Sequence, residues 1–172
     1  FVHLTGTGYS PSGEFQVDGA KVDVKKYPAI LSTLWLGLIN NDATIEMTGE
    51  EESQQTYRIV GDPTEGALLV AAAKAGAIHI EIDEAYPRAN EVPFDSERKR
   101  MITIHDVRDP KPHDPSPFYD EQHKDWDVIA VKGAPDIVLD LCTQYQGMDD
   151  KPRPLTKEAK ERILAANDAM TK

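Results

Sequence analysis

Three short segments of this chain combine residue types that could handle an anionic ligand carrying an aromatic group. Arg98-Lys99-Arg100 sets three consecutive cations a few residues after Phe94 and just before an alternating apolar run. An aromatic face beside clustered cations suits an adenine nucleotide, with stacking for the base and charge for the phosphates. The same residues also suit a solvated charged turn. Lys132 ends a strongly apolar run and precedes Gly133, which permits close backbone approach, and Ala134-Pro135, which can open a helix. A lysine at a strand end near a helix start can hold an anion; it can equally snorkel from a sheet edge. In Gly61-Asp62-Pro63-Thr64-Glu65, Asp62 can cap a helix with Pro63 at its first position and Glu65 three residues after the cap. Capping alone accounts for that segment without any ligand.

Other chemistry is harder to place. The chain has no Gly-x-x-x-x-Gly-Lys-Ser/Thr loop, and the glycines at 6, 8 and 13 miss the dinucleotide-binding spacing. The five histidines, at 3, 79, 105, 113 and 123, are scattered, with none at metal-ligand spacing to another His or Cys. The single cysteine, Cys142, sits in the apolar stretch from Val138 and reads as a buried small hydrophobe rather than a nucleophile. No catalytic residue and no metal ligand is therefore expected.

The elements that must carry these segments follow from pattern. Pro28 to Asn40 repeats apolar residues at helical spacing and stops at Asn40-Asn41-Asp42. A strand is expected over 56–60, a helix from Asp62 to Gly76, and a half-buried strand over 78–82, where Ile78, Ile80 and Ile82 alternate with His79 and Glu81. The runs 100–105 and 126–131 read as antiparallel strands joined by a long, mobile, Pro-rich loop over 109–125. A helix from Ala134 to about Cys142, a turn through 147–154 and a last helix from about Lys157 complete the chain. Near the N-terminus, Gly6 to Gly13 and the run Glu14 to Val17 read as hairpin material. This order predicts an α+β fold with a twisted, mainly antiparallel sheet flanked by helices.

Composition sets the outer bounds. At 172 residues and 40% hydrophobic content, one domain with a real core is expected. The charge of −11, from 30 acidic against 19 basic residues, disfavours a nucleic-acid partner, so an anion must meet a local basic patch. No apolar run approaches the roughly 20 residues that cross a bilayer. The chain starts at Phe1 without Met and ends mid-pattern at Lys172, which reads as a fragment of something longer.

Taken in order, the segments resemble the nucleotide-binding domain of P-type cation ATPases. Gly61-Asp62-Pro63-Thr64-Glu65-Gly66-Ala67-Leu68 is similar to the family's Gly-Asp/Glu-x-Thr/Ser-Glu-x-Ala-Leu. Val92-Pro93-Phe94-Asp95-Ser96-Glu97-Arg98-Lys99-Arg100-Met101 is similar to its Pro-Phe-x-Ser-x-x-Lys-x-Met, and Val131-Lys132-Gly133-Ala134-Pro135-Asp136 to its Lys-Gly-Ala-Pro-Glu/Asp. Leu4 to Glu14 looks like the stretch after the phosphorylation site in calcium-type and sodium/potassium-type pumps, with the calcium type slightly preferred.

The resemblance implies site roles residue by residue. Phe94 would stack on adenine and Glu65 would face its amino group. Lys132 and Gly133 would line the pocket floor, Lys99 would attract phosphates, Met101 would add apolar contact, and Thr64 would be a weaker neighbour. Some calcium pumps carry Arg two residues after the stacking Phe; Ser96 stands there, which moves phosphate contact to Lys99 or Arg98. The implied ligand is ATP, with Mg²⁺ on its phosphates. The implied partners are the phosphorylation and actuator domains of one pump, and the implied setting is a cytoplasmic domain of an integral membrane protein. The Asp-Lys-Thr-Gly-Thr segment that carries the phosphorylated Asp is absent, so the chain alone would bind ATP without hydrolysing it. The alternative is a regulatory or protein-interaction domain that keeps the fold with little nucleotide affinity.

Overall fold

The computed structural model describes residues 1–49, 55–77, 79–107, 127–149 and 151–171. The first element is a three-stranded antiparallel meander, β1 Val2–Leu4, β2 Phe15–Val17 and β3 Ala20–Val22. A short 3₁₀ turn at Val24–Lys26 then leads into helix α1, Pro28–Ile39. Proline suits the first turn of α1 because its missing N–H would have no partner there. The helix buries Trp35, Leu38 and Ile39, at i, i+3 and i+4, to 2% exposure or less.

Strands β4 (Thr44–Thr48) and β5 (Thr56–Val60) pair in register, Ile45 opposite Ile59. Helix α2, Pro63–Lys74, begins where expected and packs on α1 where Gly37 meets Leu68. The expected strand over 78–82 is corrected: α3, His79–Ala85, occupies its described part. Ile82, Ala85 and Tyr86 are all buried, and their i, i+3, i+4 spacing is a helix face. The isoleucine alternation was coincidental, and Pro87 supplies the stop.

The remaining sheet carries the candidate site. β6 (Arg88–Asp95), β7 (Arg100–Asp106) and β8 (Asp127–Gly133) form an antiparallel sheet in that order. β7 alternates strictly, with Met101, Thr103 and His105 buried. The antiparallel pairing of the two apolar runs is as expected; the expected loop over 109–125 and Trp126 lie outside the described residues. Helix α4, Pro135–Leu141, is followed by strands β9 (Gln144–Gln146) and β10 (Pro152–Pro154), which pair across the region read as a simple turn, and by helix α5, Lys157–Met170. Cys142 is exposed rather than buried. It follows α4, which buries none of its residues, and its thiol donates to the Val138 carbonyl at 3.3 Å.

Helices and antiparallel ladders together make the fold α+β. The core runs through α1, α2 and α3 to Ala130 on β8. Among the described residues no helix is long and apolar enough to cross a membrane.

Candidate nucleotide site

Strand register puts three of the expected residues side by side. Met101 pairs with Lys132, and Arg100 with Gly133. On the other edge of β7, Val92 pairs with Ile102 and Asp95 with Arg100, so Pro93 and Phe94 form a bulge opposite Met101. Pro93 has no N–H to give the ladder, which makes the bulge its natural place. The bulge turns Phe94 outward, and 64% of it is exposed. Met101, opposite the bulge, is 2% exposed and so offers almost no surface of its own. Two strand spacings of about 4.8 Å separate the Phe94 and Lys132 backbones.

The basic turn after Phe94 is built by Asp95. One of its carboxylate oxygens accepts from the N–H groups of Glu97 (3.0 Å) and Arg98 (2.8 Å). The Arg98 N–H above all, then the Glu97 N–H, hold the Asp95 carboxyl below its usual pKa, although loss of water around it opposes them. Lys99 closes the turn with φ at 52°, a left-handed conformation that a non-glycine residue adopts at a cost. Its carbonyl accepts from the Ala134 N–H at 3.0 Å. A Cβ on Gly133 would stand 2.3 Å from that carbonyl oxygen, so the close approach predicted at Gly133 is taken up by the chain's own backbone. Arg98 leans on Asp95 at 3.6 Å, whereas the exposed Lys99 makes no ion pair among the described residues.

At the start of α2, capping and site divide between two acids. Asp62 is the cap, accepting from the N–H groups of Thr64 (2.7 Å) and Glu65 (3.2 Å). The Glu65 N–H, then the Thr64 N–H, lower its pKa. Glu65 takes no part in the cap through its carboxylate. It meets Lys132 Nζ at 2.5 Å with one oxygen and accepts the Asp42 N–H at 3.1 Å with the other. The two side chains are 18% and 26% exposed, half-shielded from water yet reachable. Thr64, exposed one residue before, offers only its neighbouring position.

An exposed aromatic ring, an exposed lysine and a half-buried lysine–glutamate pair thus share one end of the sheet. A family model described as P-type ATPase, cytoplasmic domain N, matches residues 30–172. The chain belongs to that family. It is 36% identical, over 99% of its length, to the probable cation-transporting ATPase F of Mycobacterium tuberculosis. It is 42% identical over 81% of its length to the cation-transporting ATPase pma1 of Synechocystis, and 33% identical over 98% to a calcium-transporting ATPase of Bacillus subtilis. It spans 14–17% of the length of these relatives. The resemblance read from the four segments holds, the slight preference for the calcium type is consistent with these relatives, and the family is cytoplasmic by description.

This N domain also rests on residues that sequence reasoning passed over as a helix end. Asn40, 1% exposed, donates through Nδ2 to the Ala130 carbonyl (2.7 Å) and the Met101 carbonyl (3.4 Å), tying α1 to β7 and β8. Asn41 Nδ2 reaches the carbonyls of Gly37 (3.1 Å) and Glu65 (2.9 Å). The available signal was two amides and an acid directly after an apolar helix, a place where water-facing residues need no such run. Arg88, on β6, reaches the same corner, and no sequence segment pointed to it.

Proposed function

We propose that this N domain binds ATP with the base against Phe94 and the phosphate chain toward Lys99. P-type ATPases in general use ATP with Mg²⁺, which together supply the transferable phosphoryl group. The observation that carries the reading is Phe94: a large apolar ring 64% exposed, turned out by a bulge, beside the Lys132–Glu65 pair. Stacking on such a ring contributes about 1–3 kcal/mol per base.

The chemistry of the donors fits that ligand. Glu65 already serves Lys132 and the Asp42 N–H, yet each carboxylate oxygen has two lone pairs, so it can accept an exocyclic amino group without releasing either. Lys132 has three donors and keeps some for the ligand. Gly133 and Met101 form the floor, and Thr64 borders the Glu65 side. In a chain of net charge −11, the local cations Lys99 and Arg98 offset the field that would repel phosphate.

In the whole pump the domain would present the γ-phosphate to an aspartate on the phosphorylation domain by a hinge motion. The chain alone has no Asp-Lys-Thr-Gly-Thr segment and is proposed to bind without hydrolysing. Titration with ATP, followed by amide NMR, tests the site. The expected result is shifts centred on Phe94, Lys99 and Lys132; shifts centred elsewhere overturn the assignment. Phosphate release above contaminant levels would overturn the non-hydrolytic half.

A further inference from the structure

The Arg88 guanidinium serves four acceptors. Nη1 donates to Asp42 Oδ1 at 2.6 Å and Glu91 Oε2 at 2.8 Å; Nη2 donates to the carbonyls of Asn41 at 2.6 Å and Ile39 at 3.2 Å. Ile39 ends α1, where the last carbonyls lack helical partners and a cation is favoured by the helix dipole. Arg88 therefore closes that helix from β6 and fixes the path of Asn41 and Asp42. The same two residues hold Glu65 twice: Asn41 Nδ2 donates to the Glu65 carbonyl, and the Asp42 N–H to Oε2. Oε1 is left for Lys132.

We propose that Arg88 is a positioning residue for the nucleotide site, acting through the Asn41–Asp42 corner to fix the Glu65 carboxylate against Lys132. This rests on the ATP-binding reading above. Glu65 has three rotatable side-chain bonds, and a carboxylate tethered by Lys132 alone would sample several of their rotamers. The Asp42 N–H removes that freedom, and Arg88 keeps the N–H in place. Only a planar fork fills acceptors on both α1 and β6, so lysine is no substitute.

The test uses the whole chain with Arg88→Gln, Arg88→Lys, Glu65→Ala and the Arg88→Gln/Glu65→Ala double variant. In the ligand-free protein, Arg88→Gln should move the Asp42 amide and Glu65 side-chain carboxyl resonances while leaving α5 amides in place. Unmoved Asp42 and Glu65 signals overturn the proposal. In ATP titrations, Arg88→Gln should weaken binding about threefold to tenfold, and by less than about twofold when Glu65 is already alanine. Losses that multiply instead would show Arg88 acting independently of Glu65 and overturn it. Should Arg88→Gln fail to fold, Arg88→Lys carries both readouts, because it keeps the charge but cannot fill all four acceptors. Should the unsubstituted chain bind no ATP, the functional reading fails, and the ligand-free resonances still decide the role of Arg88.

Discussion

Helix α2 has a lysine at each end, and the two ends use them differently. At its C-terminal end Lys74 Nζ donates to the Thr5 carbonyl at 2.7 Å, threading between Gly6 and Gly13. A Cβ on Gly13 would stand 2.3 Å from the Thr5 oxygen, so that loop is shut by backbone contact. Beside it lies a cavity of about 370 Å³ lined by Lys21, Lys25 and Lys74 together with Glu14 and Asp23. At the N-terminal end Lys132 approaches from β8 and meets the Glu65 carboxylate, and Gly133 is shut against Lys99 in the same manner. Cations, glycines and close backbone approach are therefore common to both. What the N-terminal end adds is an aromatic ring 64% exposed, and a lysine–glutamate pair, Lys132–Glu65, that is half-buried where Lys21–Glu14 is exposed. Lysine beside glycine does not mark a ligand site; the neighbours do.

The largest effect expected from breaking this arrangement is at Gly133. Gly133→Ala forces a methyl into the Lys99 carbonyl and should cost about 1–3 kcal/mol in urea unfolding while also lowering ATP affinity. Unchanged stability would mean that β7 and β8 are further apart than described. Next is Lys132→Met, which leaves Glu65 without its cation. Its ATP affinity should fall about tenfold or more by calorimetry.

Phe94→Ala should separate binding from folding. Because the ring is 64% exposed, stability should stay within about 0.5 kcal/mol, whereas ATP affinity drops about tenfold. Lys74→Met should show the reverse, losing about 1 kcal/mol of stability with affinity held within about twofold. An affinity loss equal to that of Lys132→Met would erase the contrast between the two ends.

The smallest effect concerns pH. His105 is 2% exposed, and burial, set against its bond to the Tyr86 carbonyl at 2.9 Å, holds its pKa below the ordinary 6.5. The unfolded chain thus takes up this proton at higher pH than the folded one. The stabilisation is fully present above pH 6.5 and is lost as pH falls toward the lower folded value. His105→Gln should flatten that part of the pH–stability curve, and an unaltered slope would refute the assignment.

Short-range chemistry was readable from residues alone. Asp62-Pro63 announces a helix start because cap and first turn are neighbours, and α2 begins there. Strict alternation over 100–105 marks a half-buried strand, since a pleat has period two, and β7 follows it. Ile78-His79-Ile80-Glu81-Ile82 misled for the same reason: five residues of alternation also fit a helix whose buried face is completed by Ala85 and Tyr86 further along. The four segments shared with the P-type ATPases located the ring and the lysines, but not what each would touch.

By itself, then, the sequence determined the α+β class, helices α1, α2, α4 and α5, strands β5, β7 and β8, the family, and which side chains were candidates for a nucleotide. Only the tertiary structure decided that Glu65 turns from its own helix to Lys132, 67 residues away, and that Arg88 holds a corner 46 and 47 residues before it. Caps and alternation depend on neighbours a turn or a pleat apart. The partner of a half-buried charge depends on where folding brings distant backbone and side chains together, and no local pattern contains that.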